Sequence, residues 1–250
     1  MKLLLGDCLE ILPTLSENSV DMVLCDLPYG TTACKWDSII SLDKLWEQYN
    51  RLCKEDGVMI FTAAQPFATV LAGSNIDNFR YEWIWEKSQG TNPMNVKVMP
   101  LKSHENILVF YRKKPTYNPQ MWYSTPYSGF SSDTAKIGEV YGKQQSKHRD
   151  NPKGSRYPKT VLKYKQEKGL HPTQKPVALM EYLIKTYTNK GETVLDNTMG
   201  SGTTGLACLN TGRDFIGIEL EKKYYKIAED RLRQSILKLD SEKKGKIKAI

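Results

Sequence analysis

An open α/β fold, with a mostly parallel sheet and helices on both faces, is predicted by three features of the 250-residue sequence. Short apolar runs alternate with helical stretches at both ends of the chain, the rhythm of strand–helix–strand units. Several of those runs, Val20–Cys25 and Val58–Phe61 among them, are too continuously apolar for a sheet with one solvated face. A hydrophobic content of 40% supplies enough material for one sizeable core.

In chain order, Leu3–Leu5 and Val20–Cys25 read as strands, and Asp43–Cys53 as a helix. Val58–Phe61 is a strand, Pro66–Leu71 a helix, and Tyr81–Trp85 and Ile107–Tyr111 are strands. Arg112–Lys168 is low in Leu, Ile and Val and rich in Pro, Gly, Ser, Lys and Tyr, which predicts an inserted, loop-rich element outside the sheet. From His171 the α/β rhythm returns. Pro176 suits the first turn of a helix whose apolar face is Val177, Met180, Leu183, Ile184 and Tyr187. Thr193–Leu195 and Phe215–Ile218 read as strands, Gly205–Leu209 and Tyr224–Leu237 as helices, and the charged residues from Ser241 onward as a fraying end. The chain thus divides into 1–111, 112–168 and 169–250.

Lys and Arg number 36 and Asp and Glu 28, a formal charge of +8. Arg112–Lys168 holds thirteen basic and four acidic residues, a net +9, so the other 193 residues sum to −1. The excess points to an anionic partner of that one segment. The five cysteines, Cys8, Cys25, Cys34, Cys53 and Cys208, include no CxxC pair, so neither a disulfide framework nor a zinc site is indicated, and no metal is expected. No apolar run approaches the roughly 18 residues of a membrane span, and the start turns acidic by Asp7, too soon for a signal peptide. These features describe a soluble, reduced, cytoplasmic protein with no membrane partner.

Two strand ends carry chemistry. Asp196-Asn197-Thr198-Met199-Gly200-Ser201-Gly202-Thr203-Thr204-Gly205 satisfies GxGxxG, follows a strand and opens a helix, the context in which glycines bring backbone N–H groups close to a ligand. Glu219 ends the next strand 19 residues after Gly200, where a carboxylate accepts from ribose hydroxyls. A nicotinamide cofactor fits these residues locally, and so does a tight turn with no ligand. Only 45 residues follow Gly205, however, so strands from the N-terminal half must complete the sheet, and the order is permuted relative to an ordinary dinucleotide domain. The other strand end is Asp26-Leu27-Pro28-Tyr29-Gly30. A carboxylate and a backbone carbonyl accept both protons of an exocyclic amino group, and a tyrosine ring stacks on the base that bears it. Pro-Tyr-Gly is also ordinary turn chemistry.

Taken together, the two sites resemble the amino-group DNA methyltransferases of the permuted, beta-type order. In that family a D/N/S-P-P-Y motif comes first, a target-recognition region follows and the S-adenosylmethionine loop comes last. Asp26–Tyr29, Arg112–Lys168 and Asp196–Thr204 fall in those places, and Leu5–Leu9, Ser103–Leu108 and His171–Pro176 extend the resemblance. It implies a Rossmann-like, circularly permuted fold, with 1–111 as the catalytic half, 112–168 as a basic target-recognition insert and 169–250 as the cofactor half. Leu27 replaces the commoner first proline, and Asn197-Thr198 stands where Pro-Phe is usual.

The resemblance further implies S-adenosylmethionine as cofactor. Gly200, Ser201 and Gly202 would line its methionine part, flanked by Asp196, Thr198 and Thr203. Thr173 and Lys175 would hold the methionine carboxylate, Glu219 the ribose, and Asp7 with the Cys8 backbone the adenine. Asp26, the backbone of Leu27 and Pro28, and Tyr29 would receive a base flipped out of double-stranded DNA. Asp at the first motif position favours N6-methyladenine over N4-methylcytosine. A carbon-5 cytosine mechanism needs a Pro-Cys nucleophile, and none of the twelve prolines precedes a Cys. RNA, a protein glutamine amide, and an inactive DNA-binding module are the other substrates and roles that such residues serve. A homodimer and a cognate restriction enzyme are partners the family allows but the sequence does not spell out.

His104 and His171 are read as structural, and Trp83 and Trp85 as core with Lys87 at the rim of the site. The insert interleaves its charges with Tyr117, Trp122, Tyr123, Tyr127, Phe130, Tyr141, Tyr157 and Tyr164. Such interleaving suits phosphate contacts with base stacking, although a charged run is also what a solvated face looks like. Arg149 and Arg156 are the candidates for base edges, and Lys147, Lys153 and Lys159 for phosphates.

Overall fold

Strand β2 (Val20–Asp26) shows how the sequence sets the architecture. Val23 and Cys25 pack into one apolar cluster and Met22 and Leu24 into another, because alternate side chains leave opposite faces of a strand. Both faces are buried, which is why the run is apolar throughout. The computed structural model describes all residues except 31–37, 131–147, 168, 171 and 248–250. Cys34, Tyr141, Lys147 and His171 therefore lie outside the described residues.

The remaining elements, in order, are β1 (Lys2–Leu5), α1 (Cys8–Ile11), α2 (Leu42–Leu52), β3 (Cys53–Ala63), α3 (Phe67–Gly73), β4 (Phe79–Thr91) and β5 (Lys102–Phe110). Four short strands follow: β6 (Trp122–Tyr123), β7 (Tyr127–Phe130), β8 (His148–Asn151) and β9 (Ser155–Arg156). The chain closes with β10 (Val161–Tyr164), α4 (Val177–Tyr187), β11 (Thr193–Asp196), α5 (Thr203–Thr211), β12 (Asp214–Glu219) and α6 (Lys222–Ile247).

Eight strands form one sheet in the order β1-β12-β11-β2-β3-β5-β4-β10. Its pairings are parallel except at β5, which runs antiparallel between β3 and β4, so the sheet is mixed. Leu12, Leu45, Tyr49, Phe61 and Phe67 gather beneath α1, α2 and α3 on one face. Leu183, Ile184, Ala207, Phe215 and Leu232 gather beneath α4, α5 and α6 on the other. Trp83 and Trp85 lie in that second cluster, and the buried Tyr187 hydroxyl accepts from Trp83 Nε1 at 2.7 Å, so its polar atom is satisfied. The parallel pairings bring the ends of β1, β2, β11 and β12 to a common edge, which carries Asp26, Asp196 and Glu219.

The insert is shorter than its composition suggested. Val161–Tyr164 is a strand of the large sheet, with Leu162 opposite Trp85 and buried, and the apolar pair Val161-Leu162 was diluted by the polar residues around it. Arg112 donates to the carbonyls of Asn50 (2.9 Å) and Cys53 (2.6 Å), and Lys113 pairs with Glu55 at 2.8 Å, so both hold β3. The chain divides into Met1–Asn118 with Thr160–Ile250, and Pro119–Lys159. Pro119–Lys159 contains seven basic and three acidic residues, a net +4, so half of the +8 belongs to the larger unit. Two smaller differences occur at helix ends. Pro176 is the extended residue before α4 rather than part of its first turn, and α6 spans Lys222–Ile247, running past the Leu237 end of the helix read from the sequence.

Pro119–Lys159 is built from two antiparallel pairs, β6 with β9 and β7 with β8. Asn151 organises the turn between β8 and β9: its Oδ1 accepts from Ser155 N at 3.0 Å and its carbonyl accepts from Gly154 N at 3.0 Å. Gly154 has a φ of +63° and no room for a Cβ against the Ser124 carbonyl.

Candidate active site

The carboxylate of Asp26 is held on both oxygens. Oδ1 accepts from the Tyr29 hydroxyl at 2.7 Å and the Thr62 hydroxyl at 2.5 Å, and Oδ2 accepts from Lys175 Nζ at 2.5 Å. Thr62 stands opposite Asp26 in the β2–β3 register, so strand pairing itself places that contact. Tyr29 stacks on Phe67 with centroids 5.3 Å apart and rings 23° from parallel, which fixes its plane.

Lys175 extends the network. Its ammonium lies 3.4 Å from Glu105 Oε2, an electrostatic contact rather than an aligned hydrogen bond, and Lys87 lies 2.6 Å from Glu105 Oε1. The result is an alternating chain, Asp26–Lys175–Glu105–Lys87, in which the Lys175 and Lys87 side chains are only 7% and 9% exposed. Burial alone would discharge Lys175, but Asp26 and Glu105 outweigh it and hold its pKa above that of an ordinary lysine. Burial also opposes the Glu105 carboxylate, and Lys175 and Lys87 overcome it and hold its pKa below the usual range. Lys175, expected from the sequence to hold the methionine carboxylate, directs its charge at Asp26 and Glu105 in this structure.

Across the same edge, Asp196 ends β11 and organises the glycine loop. Its Oδ1 accepts from Thr198 N at 3.1 Å and its Oδ2 from the Thr204 hydroxyl at 2.7 Å. Asn197 Oδ1 accepts from the Tyr49 hydroxyl (2.7 Å) and the Cys25 thiol (2.9 Å), and the Thr198 hydroxyl donates to the Asp26 carbonyl at 3.1 Å. Asn197-Thr198, the unusual pair, thus fastens the loop to α2 and to the strand bearing Asp26. Glu219 is held by Gly200 N at 2.9 Å and Glu221 N at 2.8 Å, one on each oxygen. Asp7 caps α1 by accepting from Leu9 N at 2.8 Å.

These residues surround one cavity of about 410 Å³. Asp7, Cys8, Asp26, Leu27, Pro28, Tyr29, Thr173, Lys175, Asp196, Thr198, Gly200, Ser201, Thr203 and Glu219 all line it. Gly202 does not. It sits at φ +77° ahead of α5, where a Cβ would come within 3.0 Å of Ala228 Cβ, so it serves the packing of the loop on α6 and not the cavity wall. Sequence reasoning named neither Thr62 nor Glu105 as a site residue, and placed Lys87 only at the rim. Glu105 stood within the Ser103–Leu108 run, but nothing in its spacing linked it to Lys175. His104 is exposed on β5, and among the described residues no cluster of His, Cys, Asp or Glu is suited to hold a metal.

Burial raises the Asp196 pKa to about 7; the donors Thr204 and Thr198 N oppose this, while the Asp26 and Glu219 carboxylates add to it. A carboxyl whose pKa is higher folded than unfolded binds more protons when folded, so its contribution to stability falls as pH rises from about 4 to about 7. Replacing the carboxyl removes that loss. Asp196→Asn is expected to gain about 2 kcal/mol more, relative to the parent, at pH 8 than at pH 5.5, at about 1.4 kcal/mol per pKa unit. Urea unfolding at the two pH values measures it, and an equal offset at both would contradict the assignment.

In Pro119–Lys159, Arg149 and Lys153 are exposed. Arg156, expected at a base edge, braces the unit in this structure: it donates to the Thr125 carbonyl at 2.8 Å and lies 4.7 Å from the Tyr127 ring centre. Lys159 sits 5.9 Å from the Trp122 ring centre. Tyr157 and Tyr123 are 72% and 69% exposed. Tyr117 and Tyr164 pack on Tyr187 and Tyr182 of the larger unit.

The sequence matches the DNA methylase family N6_N4_Mtase over residues 20–230. The chain belongs to this family. It is 28% identical to the Type II methyltransferase M.HpaI of Haemophilus parainfluenzae over 96% of this chain and 76% of that protein. It is likewise 28% identical to the DNA adenine methyltransferase YhdJ of Escherichia coli K12, over 91% and 81%. The crystal structure of the M1.HpyAVI–SAM complex superposes with a TM-score of 0.63 at 29% identity, covering 92% of this chain and 99% of that one. As a DNA methylase the chain carries the D-x-P-Y tetrapeptide and the glycine loop on one sheet edge, and no helix among the described residues is long and apolar enough to cross a membrane.

Proposed function

We propose that this DNA methylase transfers a methyl group from S-adenosylmethionine to the exocyclic amino group of an adenine flipped out of double-stranded DNA. The observation that carries this reading is that Asp26, the Asp196–Thr204 loop and Glu219 open into one cavity. The adenine specificity named for YhdJ and the ligand of M1.HpyAVI support it.

The donor set fits the cofactor. Glu219, fixed by two backbone N–H groups, retains a lone pair on each oxygen for ribose hydroxyls, and Asp7 offers a carboxylate for the adenine amino group. Leu9, Ile39, Ile40 and Leu220 supply apolar wall for the base. Gly200, Ser201 and Thr173 flank the remainder. S-adenosylmethionine supplies an electrophilic sulfonium methyl when bound.

The chain's own residues do the positioning. Asp26 accepts one amino proton of the target and the carbonyl beside Pro28 the other, so the nitrogen lone pair is turned towards the methyl. Lys175 and Thr62 keep the carboxylate from rotating, and Tyr29, set by Phe67, presents its ring to the base. Most of the acceleration comes from holding this line of attack.

Pro119–Lys159 supplies the DNA grip in this reading, with Lys153 and Lys159 towards phosphates and Arg149 and the exposed aromatics towards bases. Affinity for DNA should fall by roughly 0.9 log units per log unit of salt for each phosphate neutralised. Replacing Pro119–Lys159 by a short linker should remove most of that salt dependence and leave S-adenosylmethionine binding within about threefold, as measured by titration calorimetry and DNA binding at two salt concentrations. A wider deletion of Arg112–Lys168 would also strip the Arg112 bonds to β3 and the β10 edge strand. The Type II names of the relatives support a cognate restriction enzyme as partner, and light scattering of the purified chain tests for a homodimer.

A further inference from the structure

The hairpin of β4 and β5 overshoots the sheet. Asn106 stands opposite Ala63, next to the Thr62 that faces Asp26, and Ile84 stands opposite Asn106. Residues 85–91 of β4 therefore run beyond the edge that bears Asp26, carrying Lys87, and β5 enters from beyond it, carrying Glu105. The strand bulges between Glu86 and Thr91, so the reach is set by β5: from Asn106 to Lys102, at roughly 3.3 Å per residue, it extends about 13 Å past the edge. The turn at its end, residues 92–101, is apolar and open to water. Met94 is 94% and Val98 80% exposed, and Val96, Met99 and Leu101 are exposed with them.

Five large apolar side chains in eight residues of one projecting turn mark a contact surface. Their surroundings indicate with what. From Ser88 to His104 there is no Asp or Glu, while Lys97 and Lys102 are both exposed. An acid-free, basic flank suits a polyanion, and the projection starts level with the carboxylate that receives the target base. Its reach exceeds the roughly 8 Å depth of either DNA groove.

We propose that the 92–101 turn is a wedge for double-stranded DNA. Its apolar tip enters the base stack beside the target and fills the space the flipped base leaves, with Lys97 and Lys102 against the flanking phosphates. This rests on the reading of the chain as a DNA methyltransferase. Apolar side chains inserted between base steps offset the few kcal/mol that unstacking and unpairing cost, a cost that is smallest when the base is already unpaired.

The test follows from that last point. The recognised site is first located by sequencing plasmid DNA methylated by the parent protein. Parent and the Met94→Ser/Val98→Ser double variant are then compared on two duplexes, one with the target base paired and one with it opposite an abasic position. Both substitutions place polar side chains where water already is, and thermal unfolding with and without S-adenosylmethionine confirms the fold. The variant should be slowed at least about tenfold on the paired duplex and return to within about threefold of the parent on the abasic one. Parent-like turnover on the paired duplex would overturn the wedge, as would equal loss on both. A shift from dimer to monomer by light scattering, accompanying the loss, would assign the turn to a second copy of the chain instead. A parent protein that methylates neither duplex would overturn the functional reading itself, a result distinct from any of these.

Discussion

Asp26→Ala is expected to lower methyl transfer by at least about 10³-fold while S-adenosylmethionine affinity stays within about threefold. The asymmetry comes from where the carboxylate sits. Its oxygens contact Tyr29, Thr62 and Lys175, on the side of the cavity where the tetrapeptide lies, while the glycine loop proposed to hold the cofactor is bonded by Asp196 and Glu219. Asp26→Asn refines the test. It keeps an oxygen for Tyr29 and Thr62 but turns an amide against the Lys175 ammonium, so it should be nearly as inactive as the alanine variant. Activity close to that of the parent in either variant, with the fold intact, would remove Asp26 from the mechanism.

Lys175→Met is expected to have the largest effect on stability, a loss of about 3–5 kcal/mol. The lysine is 7% exposed and lies between two carboxylates, so its removal leaves Asp26 and Glu105 with less compensation in a poorly solvated place. Adding Glu105→Gln to Lys175→Met should recover part of the loss, and a double-mutant cycle by urea denaturation gives the coupling. The pH dependence has a definite sign. Glu105 is held below its usual pKa, so its contribution is present above that usual value and fades as pH falls through the depressed one. In Lys175→Met this contribution is already gone, and the deficit should be large at pH 7 and smaller towards pH 4. A deficit independent of pH would indicate lost packing alone.

Much of this site is legible in the sequence. Asp26 and Asp196 each close a buried strand, and parallel strands of one sheet end on one edge, so motif order and strand pattern together brought them into a single crevice. The glycine loop was legible because glycine spacing reports backbone geometry directly. The partnership of Lys175 with Asp26 was not. It depends on where a side chain 149 residues away in sequence points, and a TQKP run says only that a lysine is near. Glu105 and Thr62 were hidden for the same reason, since their roles come from strand neighbours and not from local spacing. Gly202 misled in the opposite sense: a glycine in a ligand loop looks like a ligand contact, yet here the absent side chain makes room for α6. Composition averaged over a window also hid the β10 strand, whose Val161-Leu162 sits among Lys, Tyr and Gln.

The hairpin tip was not legible: the sequence reading gives residues 92–101 no element and no role, and the structure shows Met94, Val96, Val98, Met99 and Leu101 exposed.

In the proposed reaction Asp26 directs a methyl group to an adenine amino group. The most direct test is incubation of the purified chain with DNA and methyl-labelled S-adenosylmethionine, followed by digestion to nucleosides and mass spectrometry, with Asp26→Ala alongside. Label in N6-methyladenine from the parent, and none from the variant, is the predicted result. Label in N4-methylcytosine, or in no nucleoside of the DNA, would contradict it.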